Sequence, residues 1–251
     1  METPENLIFG IRAVLEALNA GAKISKVIVR QGLTGNLASE LMGTLKHHNI
    51  PIQYLSNEAF TKYKSKNHQG VIAFTSPIEL YSMEDIIPQL QEKTSAPLLL
   101  ILDSITDVRN FGAIVRTAEC AGVDAIIVPA KGAASMGSDA IKTSAGALYN
   151  IPICRVGSLK MLCHQLRDYG YRIISASERG EKLHYQANLT GPIAIVMGAE
   201  DAGIHPDVLK LSHEIVRIPM KGKIQSLNVS VATGIILFEA IRQRSFRPLD
   251  P

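Results

Sequence analysis

LLLILDSITDVRNFGAIVRTAECAGVDAIIVP, Leu98–Pro129, holds one full cycle of the pattern that decides the fold. The unbroken apolar run at Leu98–Leu102, closed by Asp103, suits a strand covered on both faces, as in a parallel sheet. After a polar loop, FGAIVRTAECAG carries helical periodicity, with Gly122 where a helix C-cap belongs. A second apolar run, Ala125–Pro129, follows at once. The cycle continues outward through RIISAS (Arg172–Ser177), IAIVMG (Ile193–Gly198) and EIVRIP (Glu214–Pro219). Between these runs lie LKMLCHQLRDYG with its own terminal Gly170, a turn started by Pro206, and the long apolar VSVATGIILFEAIRQR. Strands alternating with helices predict crossover connections and an α/β domain over residues 98–251.

Towards the N-terminus the pattern changes. Ser76–Pro97 holds Pro77, Pro88 and Pro97 and reads as a connector, in which MEDIIPQLQEK could form a short helix. Before it, helical spacing in IRAVLEAL (Ile11–Leu18) and NLASELMGTLKHHN (Asn36–Asn49) mixes with strand-like KVIVR, PIQYL and GVIAFT. A smaller α/β domain over residues 1–77 and a linker over 78–97 are expected.

Composition sets broad limits. The 251 residues are 46% hydrophobic and 20% charged, which suits a packed globular chain. Apolar runs of five or six residues cannot span a bilayer, and METPENLIFG has no secretory pattern. Cys120, Cys154 and Cys163 form no CxxC pair, so a reducing cytoplasm is expected and a disulfide framework is not. A formal charge of +3 permits a nucleic-acid partner without arguing for one. No GxGxxG follows the first strand of the larger domain, and no GxxxxGK[ST] occurs, which sets aside dinucleotide and P-loop sites. His47 and His48 read as solvated, and His164, His205 and His213 have no metal-ligand spacing, so no metal is expected.

In an open parallel sheet ligands bind beyond the carboxyl ends of the strands, and three of those ends are polar. After Asp103, Asn110 is placed to cap a helix starting near Phe111, with Arg116 within two turns and Glu119 three residues later. That is either a capped helix with a surface ion pair or an arginine set to grip phosphate. After Gly198, GAEDAGIHP is either a tight surface turn or a loop whose glycines let backbone approach a cofactor. After Pro219, Lys221, Lys223, Gln225, Ser226, Asn228 and Ser230 crowd a helix entry beyond what capping requires.

Taken in order, NFGAIVRTA (Asn110–Ala118), GAEDAG (Gly198–Gly203) and IPMKGKIQSLNVS (Ile218–Ser230) resemble the three motifs of the SpoU (TrmH-like) branch of the SPOUT methyltransferases. TSAGALYNIP (Thr143–Pro152) is similar to the family as well. IFGIRAVLEAL (Ile8–Leu18) resembles the start of an RNA-binding domain related to ribosomal protein L30e, so the likeness covers nearly the whole chain. Two departures stand out: Val108 where the family usually has proline, and Gln225 where it often has glutamate.

The resemblance implies an L30e-like domain followed by a parallel-sheet SPOUT domain tied in a deep trefoil knot, a rare exception to unthreaded chains. It implies methyl transfer from S-adenosylmethionine to a ribose 2′-hydroxyl. Gly198, Ile218 and Leu227 would hold the cofactor, while Asn110, Arg116, Glu200, Ser226 and Asn228 match the polar active-site residues. A guanidinium is effectively always protonated, so Arg116 is expected to orient the hydroxyl, stabilise developing alkoxide or bind the adjacent phosphate. A homodimer is expected, with the last helix contributing to it. The partner would be structured RNA rather than DNA or membrane, gripped through Arg12, Lys23, Arg30, Lys62, Lys64, Lys66 and the Tyr63–Gly70 stretch. Within the family the domain arrangement is most similar to that of enzymes acting on a guanosine of 23S ribosomal RNA. Transfer RNA is the second substrate to consider. A non-catalytic RNA-binding or ribosome-assembly protein is the rival of another class, and base methylation a further one.

Overall fold

The apolar runs pair into two separate sheets in the computed structural model, which describes residues 7–19, 22–63, 67–75, 78–224 and 226–245, apart from the side chains of Lys62, Tyr63 and Ser138. The chain divides into two compact units between Glu79 and Leu80.

The first unit contains β1 (Leu7–Phe9), α1 (Ile11–Asn19), β2 (Ile24–Arg30), α2 (Asn36–His47), β3 (Ile52–Leu55) and β4 (Val71–Thr75). Its sheet runs β1-β4-β2-β3, with β2 and β3 parallel and the other pairs antiparallel. Val14, Leu15 and Leu18 of α1 and Leu41 and Leu45 of α2 bury against Val27, Val29, Val71 and Ala73. Alternation along β2 and β4 sends Ile28, Ile72 and Phe74 to the other face, where Phe60 covers them.

The second unit contains β5 (Leu80–Tyr81), α3 (Met83–Lys93), β6 (Leu98–Asp103), α4 (Val108–Cys120), β7 (Ala125–Pro129), α5 (Ser138–Thr143) and β8 (Ile153–Val156). It continues with α6 (Leu159–Asp168), β9 (Arg172–Ala176), β10 (Lys182–Leu183), β11 (Ile193–Gly198), α7 (Pro206–Leu211), β12 (Glu214–Arg217) and α8 (Val229–Ser245). Eight strands lie in the order β10-β12-β9-β11-β6-β7-β8-β5, every neighbouring pair parallel. All six residues of β6 are buried, as a central strand between two helical layers must be. The stretch 78–97, expected as a connector, carries β5, which pairs with β8, and α3, whose Met83, Ile86, Ile87 and Leu90 enter the second unit's core.

Three local features bear on the site. First, α4 starts at Val108, because Asp107 rather than Asn110 is its cap: Asp107 Oδ1 accepts the Asn110 N–H at 2.7 Å. The cap lies three residues upstream of the sequence reading, and the Asn110 side chain is released for other work. Second, Gly112 has no room for a side chain, since a Cβ there would fall inside the hydroxyl of Thr143 on α5. Third, α8 turns apolar residues to solvent as well as to the core, for Val231 and Phe238 are about half exposed. At its far end Arg244 donates to three carbonyls, those of Ala96 (2.6 Å), Leu189 (3.0 Å) and Gly191 (2.7 Å). The neighbouring Gln243 accepts from Leu189 N–H and donates to the Ala187 carbonyl. No helix among the described residues is long and apolar enough to cross a membrane.

Candidate active site

Parallel pairing brings the carboxyl ends of β6, β9, β11 and β12 to one edge of the sheet, and the polar loops meet there. Asp103 and Gly198 end their strands opposite each other. Beyond Gly198 the chain doubles back: Gly203 N–H donates to the Ala199 carbonyl at 2.9 Å, and Gly203 takes φ +67°. A Cβ on Gly198 would sit inside the Gly203 backbone, so this loop closes only around glycine. Glu200 rides at its tip.

Glu200 is where the three sequence segments join. Its Oε1 accepts from Asn228 Nδ2 at 2.8 Å, from Val229 N–H at 3.1 Å and from Asn110 Nδ2 at 3.4 Å. Asn228 Nδ2 also donates to Asn110 Oδ1 at 2.9 Å. Asn228 does double duty, since its Oδ1 accepts from Ser230 N–H at 2.9 Å and Ser230 Oγ at 2.5 Å and so caps α8. A carboxylate at this helix N-terminus is favoured by the backbone dipoles as well as by the direct N–H bond. The polar crowding before α8 therefore serves two ends: a cap, and a tie to loops far away in sequence.

A cavity of about 300 Å³ opens beside this trio. Its apolar wall includes Met197, Ile204, Leu209, Val216, Val229 and Ile236. Gly198, Glu200, Ile218, Ser226 and Leu227, all expected from the sequence, line it too. Asn110 and Asn228 belong to the trio and not to the cavity wall. Arg116 stands apart on the exposed side of α4, its side chain making no hydrogen bond or ion pair with any described residue. The surface pair with Glu119 is not formed, so its guanidinium is open to an anionic partner.

Sequence reasoning passed over three residues. Glu178 and Arg179 reach the cavity from the end of β9, a fourth strand terminus that the same carboxyl-end rule would have found. Asp103 was read only as the close of a strand. Of the expected RNA contacts in the first unit, Arg12 is exposed on α1, Arg30 is half-buried at the end of β2, and Lys23 pairs with Glu79 at 3.1 Å. Lys64, Lys66, the Lys62 side chain and Gln225 lie outside the described residues. Among the described residues no group of three or more His, Cys, Asp or Glu is set to hold a metal ion.

Residues 97–238 match the model of the SpoU rRNA methylase family, and residues 7–81 match that of the RNA 2′-O ribose methyltransferase substrate-binding domain. The chain is 40% identical over 243 residues to the 23S rRNA (guanosine-2′-O-)-methyltransferase RlmB of Photobacterium profundum, covering 95% of this chain and 98% of the relative. It is 38% identical over 242 residues to RlmB of Escherichia coli strain K12, covering 95% and 99%. In fold it is similar to the crystal structure of an AdoMet-bound rRNA methyltransferase from Sinorhizobium meliloti, with a TM-score of 0.61 at 24% identity, over 96% of this chain and 88% of that one. With its parallel sheet, its three joined motif loops and a family match over most of the second unit, the chain belongs to the SpoU rRNA methylase family.

Proposed function

We propose that this protein transfers a methyl group from S-adenosylmethionine to the ribose 2′-hydroxyl of a guanosine in 23S ribosomal RNA. The observation that carries the reading is the convergence of all three motif loops: Glu200 lines the cavity and hydrogen-bonds both Asn110 and Asn228. RlmB relatives matched over almost their full length support the same substrate.

The lining fits the cofactor. About 300 Å³ lies within the range of small-molecule sites, and the wall mixes apolar side chains with polar groups in comparable measure, which suits a nucleoside carrying a charged aliphatic tail. Gly198, Ile218 and Leu227 would hold it, with Ser226 and Glu200 at the polar side. When bound, it supplies an activated methyl group on a sulfonium. The protein's own residues have three tasks. The Asn110–Glu200–Asn228 network fixes the loops around the cavity, so that the ribose oxygen and the methyl carbon are aligned in advance. The buried apolar wall excludes water from the transfer path. Arg116 orients the 2′-hydroxyl or its adjacent phosphate and stabilises negative charge on the oxygen as its proton leaves. An oxygen–carbon bond forms, the carbon–sulfur bond breaks, and one proton is released.

The first unit grips structured rRNA, with Arg12 and Arg30 among its contacts. The protein works in the cytoplasm as a homodimer through α8, and its second unit is threaded as a trefoil knot. Incubation with tritiated S-adenosylmethionine and total RNA from a strain lacking the gene tests the reaction. Alkali-resistant label in large ribosomal RNA is expected. Label in transfer RNA would overturn the substrate, and cofactor binding without label in any RNA would favour a non-catalytic protein.

A further inference from the structure

Asp103 is a buried carboxylate, only 5% exposed, at the end of the central strand β6, and nothing in the reaction above uses it. A carboxylate taken out of water must be compensated by hydrogen bonds, and its partners are therefore informative. Oδ1 accepts from the Ser104 hydroxyl at 3.0 Å. Oδ2 accepts from the backbone N–H of His205 at 2.7 Å, a residue 102 positions away. The Asp103 carbonyl accepts from Ala199 N–H at 3.0 Å. One residue thus holds both ends of the loop Ala199–His205, the first through its backbone and the second through its side chain.

That loop carries Glu200 at its tip and lines the cavity from Ala199 to Ile204. Its two ends are fixed to Asp103 and its middle is fixed through Glu200 to α8. Ser104 is held at φ +61°, a backbone region a non-glycine residue rarely occupies, in the conformation where its hydroxyl meets the carboxylate. Strain of this kind persists where the surroundings enforce it.

We infer that Asp103 is a positioning residue for cofactor binding: its carboxylate clamps the His205 end of the loop so that the cavity wall is preformed. The inference rests on the cavity being the S-adenosylmethionine site. It locates the effect of Asp103 in affinity for the cofactor rather than in the transfer step.

Isothermal titration of S-adenosylmethionine into the full-length protein, with single-turnover rates at saturating cofactor, separates the two. Asp103→Ala should weaken cofactor binding at least tenfold while leaving the saturated rate within about threefold. Asp103→Asn keeps an acceptor for His205 N–H and should recover most of the loss. Should Asp103→Ala fail to fold, His205→Pro deletes the donor instead, and φ −56° at this position already suits proline. It should weaken binding at least fivefold more than His205→Ala, which loses only the side-chain cap on α7. Unchanged affinity in folded Asp103→Ala, equal affinities for the two His205 variants, or a lost rate at unchanged affinity would each overturn the inference. A wild-type protein that binds no S-adenosylmethionine would overturn the cavity assignment itself, and this inference with it.

Discussion

At the scale of single residues, Arg116, which stands apart, contrasts with the bonded trio Asn110, Glu200 and Asn228, and the proposed reaction gives the two different work. The Arg116 guanidinium bonds no described residue, so removing it leaves no polar partner stranded. Arg116→Ala should lower the methylation rate at least a hundredfold with the melting temperature within about 2 °C of wild type, and Arg116→Lys should recover little. A lysine at near-normal turnover would exclude a special guanidinium role. Glu200→Ala is different in kind, because it strands Val229 N–H at the head of α8 and leaves Asn228 Nδ2 with Asn110 Oδ1 alone. It should cost about 1–3 kcal/mol in urea unfolding as well as activity. A third residue reports through pH. His213 Nδ1 accepts the Ile173 N–H at 2.9 Å, and burial first, then Arg167 and Arg172, hold its pKa below the usual histidine value. The unfolded chain therefore binds the proton that the fold refuses, and stability falls as pH drops through about 6.5. Urea midpoints at pH 7.5 and 5.5 should differ less in His213→Asn than in wild type. Residue identity was legible where side chains act alone or by type. It misled at Asn110, because two cap-competent side chains, Asp107 and Asn110, stand three apart and only the start of α4 tells them apart.

At the scale of elements, the long apolar strands were plain from the sequence because burial on both faces leaves no room for polar residues. The strand β8 was not: ICRV is four residues long and carries Arg155, whose burial pushes the guanidinium down to about 10. α3 was legible as a short helix, but β5, with only two pairing residues, was not, and the stretch was read as a connector because a helix interrupted by Pro88 gives weak periodicity. The close approach of α4 and α5 at Gly112 was likewise invisible, since a glycine in a helical run does not name its neighbour. Gly112→Ala should destabilise by about 1–3 kcal/mol through overpacking, measurable as a lower urea midpoint. The end of α8 offers a stronger test. Arg244→Ala abandons the carbonyls of Ala96, Leu189 and Gly191 and should cost about 2 kcal/mol, whereas Arg244→Lys can serve only part of the set.

At the scale of the whole molecule, α8 ties the site to a surface. Its cap joins the trio, its last turn clasps the loops before β6 and β11, and Val231 and Phe238 remain uncovered between these ends. The homodimer proposed through α8 is tested at Phe238: Phe238→Glu should give monomers where the wild type sediments as a dimer, and an unchanged mass would remove α8 from the interface. The threading that the family resemblance implies has no signature in periodicity, since burial patterns record which faces are covered and not the order in which segments pass one another. The separations within the trio carry a further consequence. Asn110 and Asn228 meet across 118 positions, and β6 waits for β11 before its pairing on that side is complete. During synthesis the ribosome therefore releases the first motif loop long before the segment it bonds. Bonds between such distant segments are slow to form, because the chain must close a long loop before any contact compensates the lost entropy. A nascent or truncated protein lacking the last helix has no formed site. On the proposed assignment, capture of the cofactor is a readout of a finished chain, and a half-made one should consume no methyl donor.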